Sequence, residues 1–173
     1  MKTRMTDSYL FKCFVAVFVC FIVDSTMSYF LPFNYTKTGI TIVPCIGLMM
    51  FTMLVKTIEG AERYFFAAIC GVYYSIVYSN SLAIYILIYL LIAFVRSYIF
   101  KLDSLSLLES SMFCIVTILA QEVVIYWLMW ITNMTRYPIL SFLTMRVLPT
   151  LLVNLVLSFL VYWVYNNMKI EVE

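Results

Sequence analysis

Asp24, the pair Gln121-Glu122 and the run Pro149-Thr150-x-x-x-Asn154 place polar groups inside long apolar stretches of this 173-residue chain. An ionised side chain at mid-membrane depth costs about 2.5–3.5 kcal/mol on insertion scales, so such a group faces a bundle interior and has a partner. Glu122 has two functional readings, a proton or ion relay and a polar contact to another subunit. No second carboxylate or basic residue sits at matching depth to continue a relay. A protonated Glu122, bonded within the bundle, is therefore the expectation. Asp24 lies nearer one surface, within reach of water. Pro149 removes a backbone hydrogen bond, and the Thr150 hydroxyl can re-satisfy freed carbonyls. Asn154, one turn on, can reach a neighbouring helix; the depths allow a bond to Gln121-Glu122.

Other reactive equipment is sparse. The chain has no His, which removes the usual general base, the commonest metal ligand and the switch that works near neutral pH. Cys13, Cys20, Cys45, Cys70 and Cys114 are scattered through apolar runs with no C-x-x-C pair. They read as small buried hydrophobes, not as a disulfide frame or metal site. No phosphate-binding glycine loop occurs. An intramembrane enzyme needs a paired nucleophile and base or a carboxylate pair. Asp24 and Glu122 are the candidates, and they fall at different depths. The expectation is a non-enzymatic chain without metal or cofactor.

The elements that must carry these groups are spanning helices. Hydrophobic residues make up 65% of the chain and charged residues 12%, with a mean hydropathy of +1.01. Soluble domains are about half apolar and about a quarter charged. A spanning helix needs about 20 apolar residues, and six runs qualify or nearly so: 10–31, 40–55, 64–78, 82–100, 107–131 and 143–165. The expected fold is an all-α polytopic membrane protein, one six-helix domain over residues 1–173. The first run reads as a retained span, because no small-residue cleavage site follows it and Asp24 and Pro32 close it. The second run is short and carries Pro44 and Gly47, so it is expected to be tilted, kinked or shallow. Residues 56–63 read as a solvated charged loop, and Ser79-Asn80-Ser81 as a tight turn.

Lys2, Arg4, Lys12, Lys56, Arg63, Arg96, Lys101 and Lys169 fall on one side of a six-span arrangement, against Lys37, Arg136 and Arg146 on the other. That bias predicts two cytoplasmic termini. Trp127 and Trp130 then mark the outer interface, Trp163 and Tyr165 the inner one. N-x-T triplets at Asn34 and Asn133 fall in loops predicted outside. The net charge of +2 is too small to point to nucleic acid.

Ala67, Gly71, Ser75, Ser79 and Ala83 recur every fourth residue and share a helix face. Small stripes let backbones approach in lipid. The stripe is either a seam inside the bundle or a docking face for another membrane protein.

Three segments resemble the rod shape-determining protein MreD family of bacteria. The stretch Gly71-Val72-Tyr73-Tyr74-Ser75-Ile76-Val77-Tyr78, with the turn and Leu82-Ala83 after it, looks like the family's Gly-x-x-Tyr-Asp-hydrophobic-hydrophobic segment and its Leu-Gly. Pro44 opens the second span as in the family. Arg146-Val147-Leu148-Pro149-Thr150-Leu151-Leu152-Val153-Asn154 resembles its Leu-Pro-Thr-x-x-x-Asn segment. Ser75 stands where the family commonly has Asp, and Ala83 where it has Gly, so a role needing a carboxylate at position 75 is not carried over. The resemblance implies a scaffold of the cell-wall elongation machinery in the bacterial cell membrane. Its implied partners are an MreC-like scaffold, the actin-like MreB, and the polymerase and transpeptidase of peptidoglycan synthesis. The family is similar in fold to the substrate-binding subunits of energy-coupling-factor vitamin transporters, which supply the alternative function. That alternative requires a polar, aromatic-lined cavity near the outside, using Asp24, Trp127 and Trp130.

Overall fold

A computed structural model describes residues 2–30, 39–78, 82–98 and 106–168. Helices account for nearly all of them, and no strand occurs among the described residues. In chain order they are α1 (Lys2–Phe30), α2 (Ile46–Leu54), α3 (Gly60–Tyr78), α4 (Leu82–Tyr98), α5 (Leu107–Ile131), the single turn α6 (Ile139–Phe142) and α7 (Leu148–Asn167). A π-helical turn, Leu143–Val147, joins α6 to α7. Among the described residues, three stretches are long and apolar enough to cross a membrane: Tyr9–Tyr29, Leu107–Ile131 and Ile139–Asn167. Ala83–Tyr98 is a shorter apolar helix.

The second run departs most from a regular span. Residues 41–45 are not helical, and only Ile46–Leu54 form α2. Pro44 disfavours helix at the residue before it and cannot donate a backbone hydrogen bond. Nine helical residues rise about 14 Å, roughly half of a hydrocarbon core about 30 Å thick. Yet α2 is the centre of the molecule: every residue from Gly47 to Leu54 is buried, and α1, α4, α5 and α7 all pack on it. Phe51, fully buried, meets the rings of Phe66 at 5.6 Å and Tyr89 at 4.7 Å. Phe21 of α1 lies against the start of α2, where a Cβ on Gly47 would collide with its ring.

The charged stretch 56–63 is more structured than a solvated loop. Gly60 takes φ +62 and opens α3, so residues 60–63 are helical, and Ile58 is buried. The Arg63 Nε donates to the carbonyls of Val55 (3.1 Å) and Ile58 (2.7 Å), which accept at the C-terminal end of α2. Its Nη1 pairs with the Ser97 hydroxyl, tying the start of α3 to the end of α4. This one guanidinium gathers three otherwise separate chain segments, a job its position in a charged run does not announce. Ser106 and Glu109 form a reciprocal cap that starts α5.

Ala67, Gly71 and Ser75 lie buried on the face of α3 that meets α4. A Cβ on Gly71 would approach the Ile86 Cα at 2.7 Å and the Tyr85 carbonyl oxygen at 3.1 Å. Ser75 turns its hydroxyl back to the Gly71 carbonyl at 2.7 Å. The stripe is thus the seam of an antiparallel α3–α4 hairpin, and no free docking face remains at these three positions. Ala83 is exposed; Ser79 and the turn expected at Ser79-Asn80-Ser81 lie outside the described residues.

Because backbone on α4, not a flexible side-chain tip, meets position 71, Gly71→Ala must push the two helices apart. Thermal unfolding in detergent micelles is expected to show a loss of about 1–3 kcal/mol, the usual cost of overpacking. Ala83→Leu, on an exposed position of the same hairpin, is expected to leave the transition within about 0.5 kcal/mol.

Candidate functional site: a broken span held by a polar network

In a membrane, non-helical backbone must be satisfied by protein, because lipid offers no hydrogen bonds. Residues 41–45 meet that requirement along α7. Pro149 has no N–H to return to the carbonyl four residues earlier, that of Met145. The Met145 carbonyl instead accepts the Thr41 N–H at 2.8 Å. Next along, the Val43 N–H donates to the Thr150 hydroxyl at 3.2 Å. Asn154 then takes both sides of the chain. Its Oδ1 accepts from the Cys45 N–H at 2.9 Å, and its Nδ2 donates to the Val43 carbonyl at 2.7 Å and the Thr150 carbonyl at 2.8 Å. A single amide thus imitates the edge of a second strand. Thr150 and Asn154 are completely buried, and Pro149 is half-buried beside them.

The same geometry corrects the expected link between Asn154 and Gln121-Glu122. The carboxamide is already engaged by the backbone of residues 43 and 45, more than a hundred residues away in sequence, and by the Thr150 carbonyl. The rows of contacts run in register: residue 41 beside 145, residue 43 beside 150, residue 45 beside 154. Farther on, Met50 and Val164 line one groove. The broken span and α7 are therefore parallel over 145–164, about 28 Å at 1.5 Å per residue.

Asp24 ends the non-helical stretch. Its Oδ1 accepts the Ile46 N–H at 2.8 Å and its Oδ2 the Gly47 N–H at 2.7 Å. These are two of the orphan donors at the start of α2, where the helix dipole also favours negative charge. Cys45, at the N-cap position, supplies no side-chain cap, and Asp24 does so from α1. Asp24 is only 2% exposed, so it does not reach water as its sequence position implied. Gly47 donates its N–H to the carboxylate, and its lack of a side chain admits the Phe21 ring.

Glu122 is not alone in the bundle. Arg146, on the π-helical turn, donates from Nε to Oε2 at 2.7 Å and from Nη2 to Oε1 at 3.1 Å. This two-pronged fork is the strong form of an Arg–carboxylate contact. Glu122 is bonded within the bundle as expected, and its partner is the basic residue that the sequence did not place at this depth. Sequence reasoning put Arg146 near the edge of its span and so missed it, although the residue had been counted there. The π turn and Met145 sit next to Arg146, so the ion pair also pins the carbonyl that holds Thr41. Gln121 is buried beside Glu122, and its Oε1 has no hydrogen-bond partner among the described residues.

Two other features border this network. Arg96 is 3% exposed, with its guanidinium 5.0 Å from the centre of the Phe113 ring. Near the α5–α6 connection, a pocket of about 340 Å³ is lined by Tyr126, Trp127, Trp130, Arg136 and Tyr137. Tyr126 closes its base, donating to the Tyr137 carbonyl at 2.8 Å. Asp24 belongs to the α2 cap and not to this pocket. Asn133, in the same connection, is exposed with φ +55, a left-handed conformation that Asn tolerates; Asn34 lies outside the described residues. No group of three metal-ligating side chains occurs among the described residues.

The network makes two predictions. Asp24→Ala leaves two helix donors without an acceptor and should cost ~2–4 kcal/mol. Cys45, now 3% exposed, should become alkylated faster by maleimide, read by peptide mapping, with Asp24→Asn intermediate because it keeps one acceptor. Arg146→Ala strands a buried carboxylate and should cost about 3–5 kcal/mol, whereas Glu122→Gln combined with Arg146→Met should recover most of that loss. Unfolding of the two variants in micelles, side by side, provides the check.

Compared with protein-family models, with characterised proteins and with solved structures, the chain finds no match in any of the three.

Proposed function

We propose that this chain is a non-enzymatic, six-pass scaffold of the bacterial cell membrane, with both termini cytoplasmic, that works in the cell-wall elongation machinery through helix–helix contacts. The segments that resemble MreD motivate the choice of machinery. The observation that carries the scaffold reading is the use made of the intramembrane polar groups. Asp24, Glu122, Arg146, Thr150 and Asn154 are each bound to other parts of the same chain. Their chemistry is spent on holding a broken span in place, which builds a rigid body for others to touch. The placement of Lys12 and Met168 in one groove supports an even number of crossings, because it brings the start of α1 and the end of α7 to the same side.

Contacts with an MreC-like scaffold or with the polymerase and transpeptidase must then use outward helix faces and not the α3–α4 seam. On α7, Leu148, Leu152, Val156 and Leu160 form one exposed row at helical spacing, each more than half exposed. The vitamin-transporter alternative draws on the aromatic pocket with Arg136, though without the aspartate it was expected to contain. A photo-crosslinker at Val156 or Leu160 in growing cells separates the readings. The scaffold reading expects crosslinks to membrane proteins of wall synthesis, together with loss of cell shape on depletion. No such crosslink and unchanged shape, with a vitamin raising the melting temperature of the purified chain, would instead establish the transporter reading.

A further inference from the structure

Between α1, α2 and α7 runs an apolar groove of about 460 Å³. Val15 and Val19 form one wall, each about half exposed, and Val164 of α7 the other. The groove opens at Lys12 and at Met168, the C-cap of α7, and it ends at Cys20 and Met50. We infer that this groove holds one acyl chain of an anionic phospholipid, with the lipid phosphate at Lys12.

Depth selects the occupant. From Lys12 to Cys20 is eight residues, about 12 Å at 1.5 Å each. One leaflet of a hydrocarbon core about 30 Å thick is about 15 Å deep. Within the Tyr9–Tyr29 stretch, the lining residues run from Phe11 to Cys20 and stop near its midpoint. A partner's transmembrane helix crosses both leaflets and needs a crevice that does the same. An acyl chain needs one leaflet, on the side where its headgroup lies.

Charge selects the headgroup. Lys12 is exposed and sits one turn inside the apolar stretch, at the mouth of the groove. A lysine there stretches its stem along apolar surface and carries its ammonium to headgroup level. It is the one charged residue among the described residues of the lining. The inference needs only that α1 and α7 lie in a bilayer, and it stands or falls independently of the partners proposed above.

The test uses the full chain reconstituted in vesicles of equal parts phosphatidylglycerol and phosphatidylcholine with matched chains. The protein is then extracted into mild detergent, and retained lipid is read by native mass spectrometry. The expected result is one phosphatidylglycerol retained about fivefold over phosphatidylcholine, the attraction of a single lysine for an anionic surface. Lys12→Gln, a surface change, should bring the ratio near one. Val19→Trp, which fills the groove from an exposed position, should retain neither lipid. Equal retention by the native chain and Val19→Trp would overturn the inference. So would a native chain without headgroup preference, a Lys12→Gln ratio unchanged from it, or a partner helix crosslinked at Val15.

Discussion

Backbone amides in a hydrocarbon layer must find partners within the protein, and five residues of this chain have no helix of their own to supply them. The arrangement around residues 41–45 follows from that constraint. Pro149 releases the Met145 carbonyl, and the broken stretch takes it up. Thr150 and Asn154 present side-chain groups at the next two levels, and Asp24 receives the first donors of α2. Two interruptions of regular helix, one at Pro44 and one at Pro149, thus satisfy each other. Either interruption alone would leave buried polar groups unmet, at about 1–3 kcal/mol each.

The packing around this line divides the work differently. Aromatic rings fill the space between α1, α2, α3 and α4, with Phe14 on Phe66 at 4.8 Å and Phe18 on Tyr73 at 4.7 Å. Between α2, α5 and α7 the contacts are smaller and more polar, with Thr52 against Cys114 at 3.4 Å. The small residues of α3 bring α4 to backbone contact and let the hairpin act as one slab against the aromatic side of α2. A fully buried α2, nine residues long, is possible because its neighbours supply both the apolar surface and the end caps.

Hydropathy and spacing made the helices legible. The run 107–131 coincides with α5, and Asn133, expected in a loop, lies in the non-helical stretch 132–138. Pro44 and Gly47 correctly marked the second run as irregular, but composition has no means of showing that its first part abandons helix altogether. Polar positions were legible and polar partners were not. Asp24, Thr150 and Asn154 stand out as interruptions of apolar sequence, yet their bonds reach backbone, which carries no signature in residue type. Asn154 lies 109 residues from Cys45. Glu122 and Arg146 were both visible, but a π turn alters the rotation of the helix that follows it, and a depth estimate made from residue counts misses the match. The Ser106-x-x-Glu109 cap was readable from spacing alone. The role of Arg63 was not, because a cation in a charged run looks solvated whatever it touches.

The distance along the chain between the broken span and its acceptors has a consequence for biosynthesis. When residues 41–54 leave the ribosome, Asp24 is already made, but Thr150 and Asn154 lie more than a hundred residues downstream. Until the last helix is threaded into the bilayer, the amides of Thr41, Val43 and Cys45 lack their native acceptors. Residues 41–54 must wait for those acceptors or pass through a provisional conformation. Their final form is reached when α7 arrives, so closure of this part of the fold follows synthesis of residues 145–154.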